Sequence, residues 1–326
     1  MTRVTAPSRL HFGLFHVPTD GFTHWPTTGG GPGLPVRAFG GVGLMVDQPG
    51  VVVTVRPADS WQFEGMLASR AQVFALRFTA SLPEADRRPF QVLVERCPAE
   101  HTGLGVGTQL GLAVARALAE ETGLGGLSAV ELATRVGRGE RSAIGVHGFD
   151  RGGLIVEPGK VPGEAISPLL TRVQLPEAWR VALLIPPAPG PWHGSRERQA
   201  FAEVRTSGQT DALCRIALLG MLPAAVAGDL EGFGEAVHEF NRRAGEPFAA
   251  VQGGAYAGAE VAELIAAVRA CGVRGVGQSS WGPAVFAVVG SDADAVGLIR
   301  EFRGRSRGSV ARVSTGHAAE RERGGP

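Results

Sequence analysis

The chain has 326 residues, 44% of them hydrophobic and 19% charged, and its 32 basic and 31 acidic side chains leave a formal net charge of +1. That length accommodates two ordinary domains with sizeable cores, and the balanced charge supplies no global field for nucleic acid or an anionic membrane. Lys160 is the only lysine, which excludes a P-loop ATPase, whose Gly-Lys-Ser/Thr step needs a lysine inside its glycine loop.

Three widely spaced cysteines, Cys97, Cys214 and Cys271, form neither a CxxC pair nor a zinc pattern, so a reduced, cytoplasmic protein is expected. The start, MTRVTAPSRLHFG, has no apolar signal region, and no run reaches the roughly 18 to 20 apolar residues of a membrane span. Alternation in RVTAPSRLHFGLFHV predicts strands entering and leaving a turn at Pro7-Ser8. The Gly/Pro/Thr-rich segment from Pro18 to Gly43 reads as a mobile loop or flap. Val51 to Pro57 is a strand, Leu67 to Leu82 a helix with Val73, Leu76 and Phe78 among its apolar positions, and Gln91 to Cys97 a strand.

Thr108 to Thr122 is a helix, with Leu110, Val114 and Leu118 on one face and Gly123 to end it. Ser128 caps another through Val136, followed by a loop, a strand at Leu154 to Glu157 and a Pro-rich seam from Pro158 to Pro176. A strand at Arg180 to Pro186 opens the second half, and the polar loop PPAPGPWHGSRERQAF carries two further anion-clamp candidates, His193 and Arg196. Helices follow at Asp211 to Ala227, Leu230 to Arg243 and Gly258 to Cys271. Two strands then flank Trp281-Gly282-Pro283, before a helix at Asp292 to Phe302 and a strand at Ser309 to Val313. Helix, strand, strand, helix, strand is the later part of a split βαβ, ferredoxin-like layer. The division expected is 1–176, 177–316 and a frayed, charged tail at 317–326.

The stretch EHTGLGVGTQ, from Glu100, carries the first chemical signal. Gly103, Gly105 and Gly107 let successive backbone N–H groups point into one concavity, and Thr108 adds a hydroxyl where the positive end of a helix faces it. Such a loop binds phosphate.

Three segments, PSRLHFGL, PAEHTGLGVGTQ and GVGQSSWGPAVFAV, resemble in order the three motifs of the GHMP kinase superfamily. The resemblance implies an α+β two-domain fold, with an N-terminal domain like domain 2 of ribosomal protein S5, a ferredoxin-like C-terminal domain and the active site between them. Two departures stand out. Val106 and Gly107 replace a serine pair typical of the kinases, and Gly145 holds the place of their catalytic aspartate in SAIG, six residues, then Gly152-Gly153. A general base needs a side chain within reach of its proton, and glycine has none.

EHTGLGVGTQ, GRGERSAIGVHGFDRGG and GQSSWGPAVF are together similar to the β-ribofuranosylaminobenzene 5′-phosphate synthases, GHMP-fold enzymes that are not kinases. This resemblance implies condensation of phosphoribosyl pyrophosphate with 4-aminobenzoate, releasing pyrophosphate and CO2, in tetrahydromethanopterin biosynthesis. It also implies Mg2+ without ATP, and a homodimer. No nucleic-acid or membrane partner is expected.

Within that scheme Arg9, beside Ser8, is an anion clamp or a surface arginine at a turn, and His11, on the same strand face, is catalytic or a hydrogen-bonded core residue. Glu100 binds Mg2+ or the ring amine, or shapes the loop; Thr108 is the second metal candidate, and Gln109 follows it in the substrate-binding set. Arg138 and Arg141 hold the 5′-phosphate or the carboxylate, or are exposed. His147 partners the leaving pyrophosphate or is structural. Gln278, Ser279 and Ser280 offer donors, and Trp281 stacks on the aryl ring or plugs the domain seam.

Overall fold

The computed structural model describes residues 1–16, 24–25, 33–187 and 209–321. Its first sheet is built around two long strands, β1 (Thr2–Leu14) and β4 (Ala38–Pro57), antiparallel over most of their length. Between them in sequence lies a two-stranded hairpin of β2 (His24–Trp25) and β3 (Leu34–Pro35). The second half of β4 pairs with β6 (Phe90–Arg96), which pairs in parallel with β5 (Gln62–Gly65). The first half pairs with β7 (Leu154–Lys160), and β7 with β8 (Thr171–Val173).

Two expectations change here. No turn breaks β1 at Pro7-Ser8: the strand runs through, with register shifts between Ala6 and Ser8 and between His11 and Gly13. A bulge is where a strand tolerates proline, and it re-aims the side chains beside it. The loop expected up to Gly43 ends sooner, because residues from Ala38 onward already belong to β4; residues 17–23 and 26–32 lie outside the described residues.

Helices α1 (Ala68–Ala80), α2 (Val106–Glu121) and α3 (Ala129–Val136) cover this sheet. Helix α2 is apolar nearly all round, with Leu110, Leu112, Val114 and Leu118 fully buried, as a helix packed on several sides must be. In α1 the buried stripe is Ala71, Phe74, Ala75 and Phe78, whereas Val73 and Leu76 face solvent. Spacing of i, i+3, i+4, i+7 selects Phe74 over its neighbours. Ser128 caps α3 through a capping box with Glu131, as its sequence predicts. The segment read as a loop before Leu154 contains a further helix, α4 (Ile144–Arg151), whose glycines mask the periodic pattern. One of them, Gly148, is needed because a Cβ there would collide with Met45.

The second sheet has the order β10 (Gly275–Gln278), β11 (Val285–Val289), β9 (Arg180–Ile185), β12 (Arg307–Arg312), all antiparallel. This is the ferredoxin-like arrangement expected. Period-two alternation splits β9 between two cores. Ala182 and Leu184 pack with Val261, Ile265 and Val268 of helix Ala259–Ala270, while Val181 and Leu183 join the main core with Phe233, Val237 and Phe240 of helix Leu230–Gly245.

Helix Thr210–Ala227 contradicts the expectation that no segment is apolar and long enough to span a membrane. Its 18 residues have a mean hydropathy of 1.5, because Leu, Ala, Ile and Val are interrupted by few charges. One face, including Leu213, Ala217 and Met221, packs into the main core, and Leu218, Leu219 and Val226 face outward. The tail is also corrected. Ala318–Arg321 forms β13, antiparallel to the start of β1, so the chain returns to the first sheet.

Candidate active site

The two sheets meet where the end of β1, the N-terminus of α2 and the β10–β11 turn converge. Backbone bonds lace them together: Arg9 N–H donates to the Leu104 carbonyl at 3.0 Å, Ser280 N–H to His11 at 3.0 Å, and Ala284 N–H to Thr102 at 3.2 Å. The buried Ser279 hydroxyl donates to the Gly103 carbonyl at 2.7 Å and accepts from the His11 N–H at 3.0 Å. Gly103 has φ +91°, and a Cβ there would collide with the Ser279 carbonyl oxygen, so conformation and close approach both demand glycine. Asn241 fixes the same seam. Its amide donates to the carbonyls of Phe12 (2.6 Å) and Gln278 (2.9 Å), and its oxygen accepts from Gln278 N–H (2.8 Å).

A cavity of about 600 Å³ opens at this junction. Three arginines surround the glycine loop: Arg9 lies against Gly105, and Arg70 and Arg138 against Gly107. Arg138 also donates to the Thr108 hydroxyl at 3.2 Å. Burial lowers the pKa of Arg70 and of Arg138, and for Arg138 the neighbouring Arg70 lowers it further. Guanidinium groups stay charged at neutral pH even so, and their crowding at a helix N-terminus makes a strong anion site. Arg141 lines the cavity as well. Arg70 is missing from the sequence-based set, since nothing in the sequence separates it from the other arginines.

Gly145 lines the cavity, and its surroundings explain its identity. A Cβ there would lie 3.1 Å from the Gln109 side-chain nitrogen and 3.4 Å from the Thr108 methyl. Gln109 is fully buried and donates to the Gly145 carbonyl at 2.8 Å. A side chain there would press on the Gln109 amide, and glycine leaves this part of the cavity lining without a carboxylate.

His11 lines the cavity while being 6% exposed. Burial, then the nearby Arg9, pushes its pKa well below the ordinary value, so the ring is neutral. Its Nε2 meets the Ser142 hydroxyl at 3.2 Å, and that hydroxyl donates to Glu157 at 2.6 Å. Glu157 is fully buried in β7, and burial raises its pKa to about 7. Ser142 and Glu157 were not singled out by sequence, yet a lone carboxylate inside the apolar run LIVE is a signal of the right kind.

Other sequence candidates fall differently. Ser280 and Trp281 line the cavity, the indole packing edge-on against Phe248 at 4.6 Å between ring centres. Gln278 lines it too, but its side chain is engaged with the Gly282 carbonyl and the Ala257 N–H. Ser8 turns to the Pro49 carbonyl and Ser279 to the seam, so neither hydroxyl faces the cavity. Glu100 forms an ion pair with Arg70 and is not among the lining residues. Nor is His147, whose Nε2 meets the Ser167 carbonyl at 2.7 Å; that bond and its partial burial explain a histidine at this position. His193 and Arg196 lie outside the described residues.

Among the described residues no group of three or more His, Cys, Asp or Glu side chains could hold a metal. The acidic residue that lines the cavity is Glu140, with the Thr108 hydroxyl also in the lining. One carboxylate and one hydroxyl suit a hard cation such as Mg2+, which keeps several waters and is bound in company with substrate phosphates.

A family model described as GHMP kinases C terminal matches residues 221–306. The chain is 31% identical to the β-ribofuranosylphenol 5′-phosphate synthase of Methanothermobacter thermautotrophicus, over 93% of its own length and 94% of that protein. It is also 31% identical to the synthase of that name from Archaeoglobus fulgidus, over 93% of this chain and 92% of the other. Among solved structures it is similar in fold to mevalonate-3-kinase from Thermoplasma acidophilum, with a TM-score of 0.66, 12% identity and 99% of each chain covered. Homoserine kinase from Cytophaga hutchinsonii gives a TM-score of 0.65 at 15% identity, covering 98% of this chain and 97% of that one.

Proposed function

This chain belongs to the β-ribofuranosylphenol 5′-phosphate synthase family, and on that premise we propose that it joins phosphoribosyl pyrophosphate to a para-substituted benzoate, releasing pyrophosphate and CO2. In the balanced step a bond forms between C1′ of the ribosyl group and the ring carbon bearing the carboxylate. The C1′–O bond to pyrophosphate breaks, the ring–carboxylate bond breaks, and its electron pair restores aromaticity. No substrate hydroxyl is deprotonated in the net reaction, so the site needs no aspartate base.

The observation that carries this reading is Gly145, which offers the cavity no side chain where the kinase motif has an aspartate, beside an arginine-rich anion site. Arg9, Arg70, Arg138 and the Thr108 hydroxyl at the start of α2 hold the phosphates and stabilise the charge that develops on pyrophosphate as it leaves. Mg2+, entering with the pyrophosphate, would be held by Thr108 and Glu140 and would neutralise part of that charge. Trp281, backed by Phe248, offers an apolar face to the aryl ring, and the neutral His11 accepts a hydrogen bond from the acceptor. The relatives' names give a phenol product, for which we infer 4-hydroxybenzoate as the acceptor; the motif resemblance implies 4-aminobenzoate. Both acceptors carry a para group that pushes electrons toward the attacking carbon. We assign the reaction to the cytoplasm and to a homodimer, for which the outward face of helix Thr210–Ala227, with Leu218, Leu219 and Val226, is a suitable surface.

The test is incubation with Mg2+, phosphoribosyl pyrophosphate and either carboxyl-labelled benzoate, in parallel with ATP and a panel of alcohols. Labelled CO2 that depends on phosphoribosyl pyrophosphate is the expected result, and the faster acceptor identifies the para group. ADP formed in step with an alcohol would overturn the reading in favour of a kinase.

A further inference from the structure

The neutral His11 has two ring nitrogens, and which one carries the proton decides what the ring can do in the cavity. We infer that Ser142 and the buried Glu157 are positioning residues that fix His11 as its Nε2–H tautomer, leaving Nδ1 as a bare acceptor. This rests on the reading that His11 belongs to the reaction site.

The direction of the chain of hydrogen bonds follows from Glu157 Oε1. That oxygen faces two donors, the Ser142 hydroxyl at 2.6 Å and the Ala143 N–H at 2.8 Å. The amide can only donate and an ionised carboxylate can only accept, so with Glu157 ionised both bonds end on Oε1. Ser142 therefore gives its single proton to the Glu157 carboxylate. Its remaining lone pairs can only accept, and the ring nitrogen at 3.2 Å must then be the donor.

The surroundings favour a fixed ring. Glu157 pairs with Gly41 across β7 and β4, and a Cβ at Gly41 would lie 3.2 Å from His11 Cε1. The same Cβ would collide with the Gly13 carbonyl oxygen, so backbone and imidazole together leave room only for glycine. At the other side the His11 backbone is tied at both N–H and carbonyl to Ser279 and Ser280. A ring held so closely, whose tautomer is set by a partner hydroxyl, is arranged like a catalytic histidine oriented by a buried carboxylate, with a serine inserted between.

The test is a long-range proton–nitrogen NMR correlation of the imidazoles in 15N-histidine-labelled protein, with His11→Gln to assign the His11 signals. The wild type is expected to show Nε2 protonated and Nδ1 bare. Finding Nδ1 protonated instead would overturn the inference, and this measurement needs no turnover. A failed tautomer assignment is thereby distinguishable from a failed synthase assay. Ser142→Ala and Glu157→Leu, each checked for folding by circular dichroism, should mix the tautomers. They should also lower kcat by at least about tenfold, with KM for phosphoribosyl pyrophosphate within about twofold of wild type. Ser142→Thr, which keeps the hydroxyl, should recover most of the loss. Unchanged tautomer and kcat in Ser142→Ala would overturn the inference as firmly as the wrong tautomer in the wild type.

Discussion

The cavity has two walls of opposite character. Residues from the first half of the chain bring Arg9, Arg70, Arg138, Arg141 and Glu140, together with the Thr108 hydroxyl at the start of α2. Residues from the second half bring Asn241, Phe248, Gln252, Tyr256, Gln278, Ser280 and Trp281, with no ionised side chain among the described residues that line the space. Burial raises the Tyr256 pKa to about 12, so its hydroxyl stays protonated. The difference teaches how one fold hosts two substrates of unlike chemistry. A pyrophosphate needs dense positive charge and backbone donors, whereas a benzoate ring needs apolar faces and a few neutral polar groups. Gly145, in the place of the kinase base, lines the cavity without a side chain.

The comparison is broken most severely by closing the seam between the walls. Gly103→Ala forces a side chain against the Ser279 carbonyl at a positive φ, and is expected to cost on the order of 2 kcal/mol of stability and most of the activity. Thermal unfolding and turnover measure both. Arg138→Ala attacks the charged wall and should lower kcat/KM for phosphoribosyl pyrophosphate by about a hundredfold, roughly 2.7 kcal/mol, with a smaller effect on the KM of the benzoate. Arg9→Ala should cost at least about tenfold, on the order of 1.4 kcal/mol; wild-type rates would remove Arg9 from the site. Trp281→Ala attacks the neutral wall, and steady-state kinetics should show the reverse pattern, with KM for the benzoate up about tenfold and KM for phosphoribosyl pyrophosphate hardly moved.

The smallest effect concerns pH. Glu157 titrates near 7 when folded, above its ordinary 4.5, because burial penalises the carboxylate. The folded state therefore holds a proton that the unfolded chain has lost, and stability declines as pH rises from about 4.5 through 7. Glu157→Gln should flatten that decline, as read from denaturation midpoints at pH 5 and pH 8. An equal slope in both proteins would contradict a buried, proton-holding Glu157.

Much of this architecture is legible in the sequence because it rests on local rules. The glycine loop, the α3 capping box and the strand pair around Trp281 all follow from short-range patterns. What escapes is long-range. Helix α4 is hidden by glycines whose reason is a neighbour such as Met45, far away in sequence. The pairing of Ala318–Arg321 with β1 joins the two ends of the chain, and no periodicity announces it. Arg70 and Asn241 have ordinary sequence surroundings and gain their roles only when α1 and helix Leu230–Gly245 are packed. Gly145 is the instructive residue between these extremes. Its departure from the kinase pattern is visible in sequence, but the Gln109 amide that bonds its carbonyl is visible only in the fold.

The central claim is tested most directly by the stoichiometry of products from phosphoribosyl pyrophosphate and carboxyl-labelled benzoate. The two walls predict pyrophosphate and labelled CO2 released one for one, each dependent on both substrates. Pyrophosphate released without CO2, or an ATP-dependent product in its place, would contradict the account.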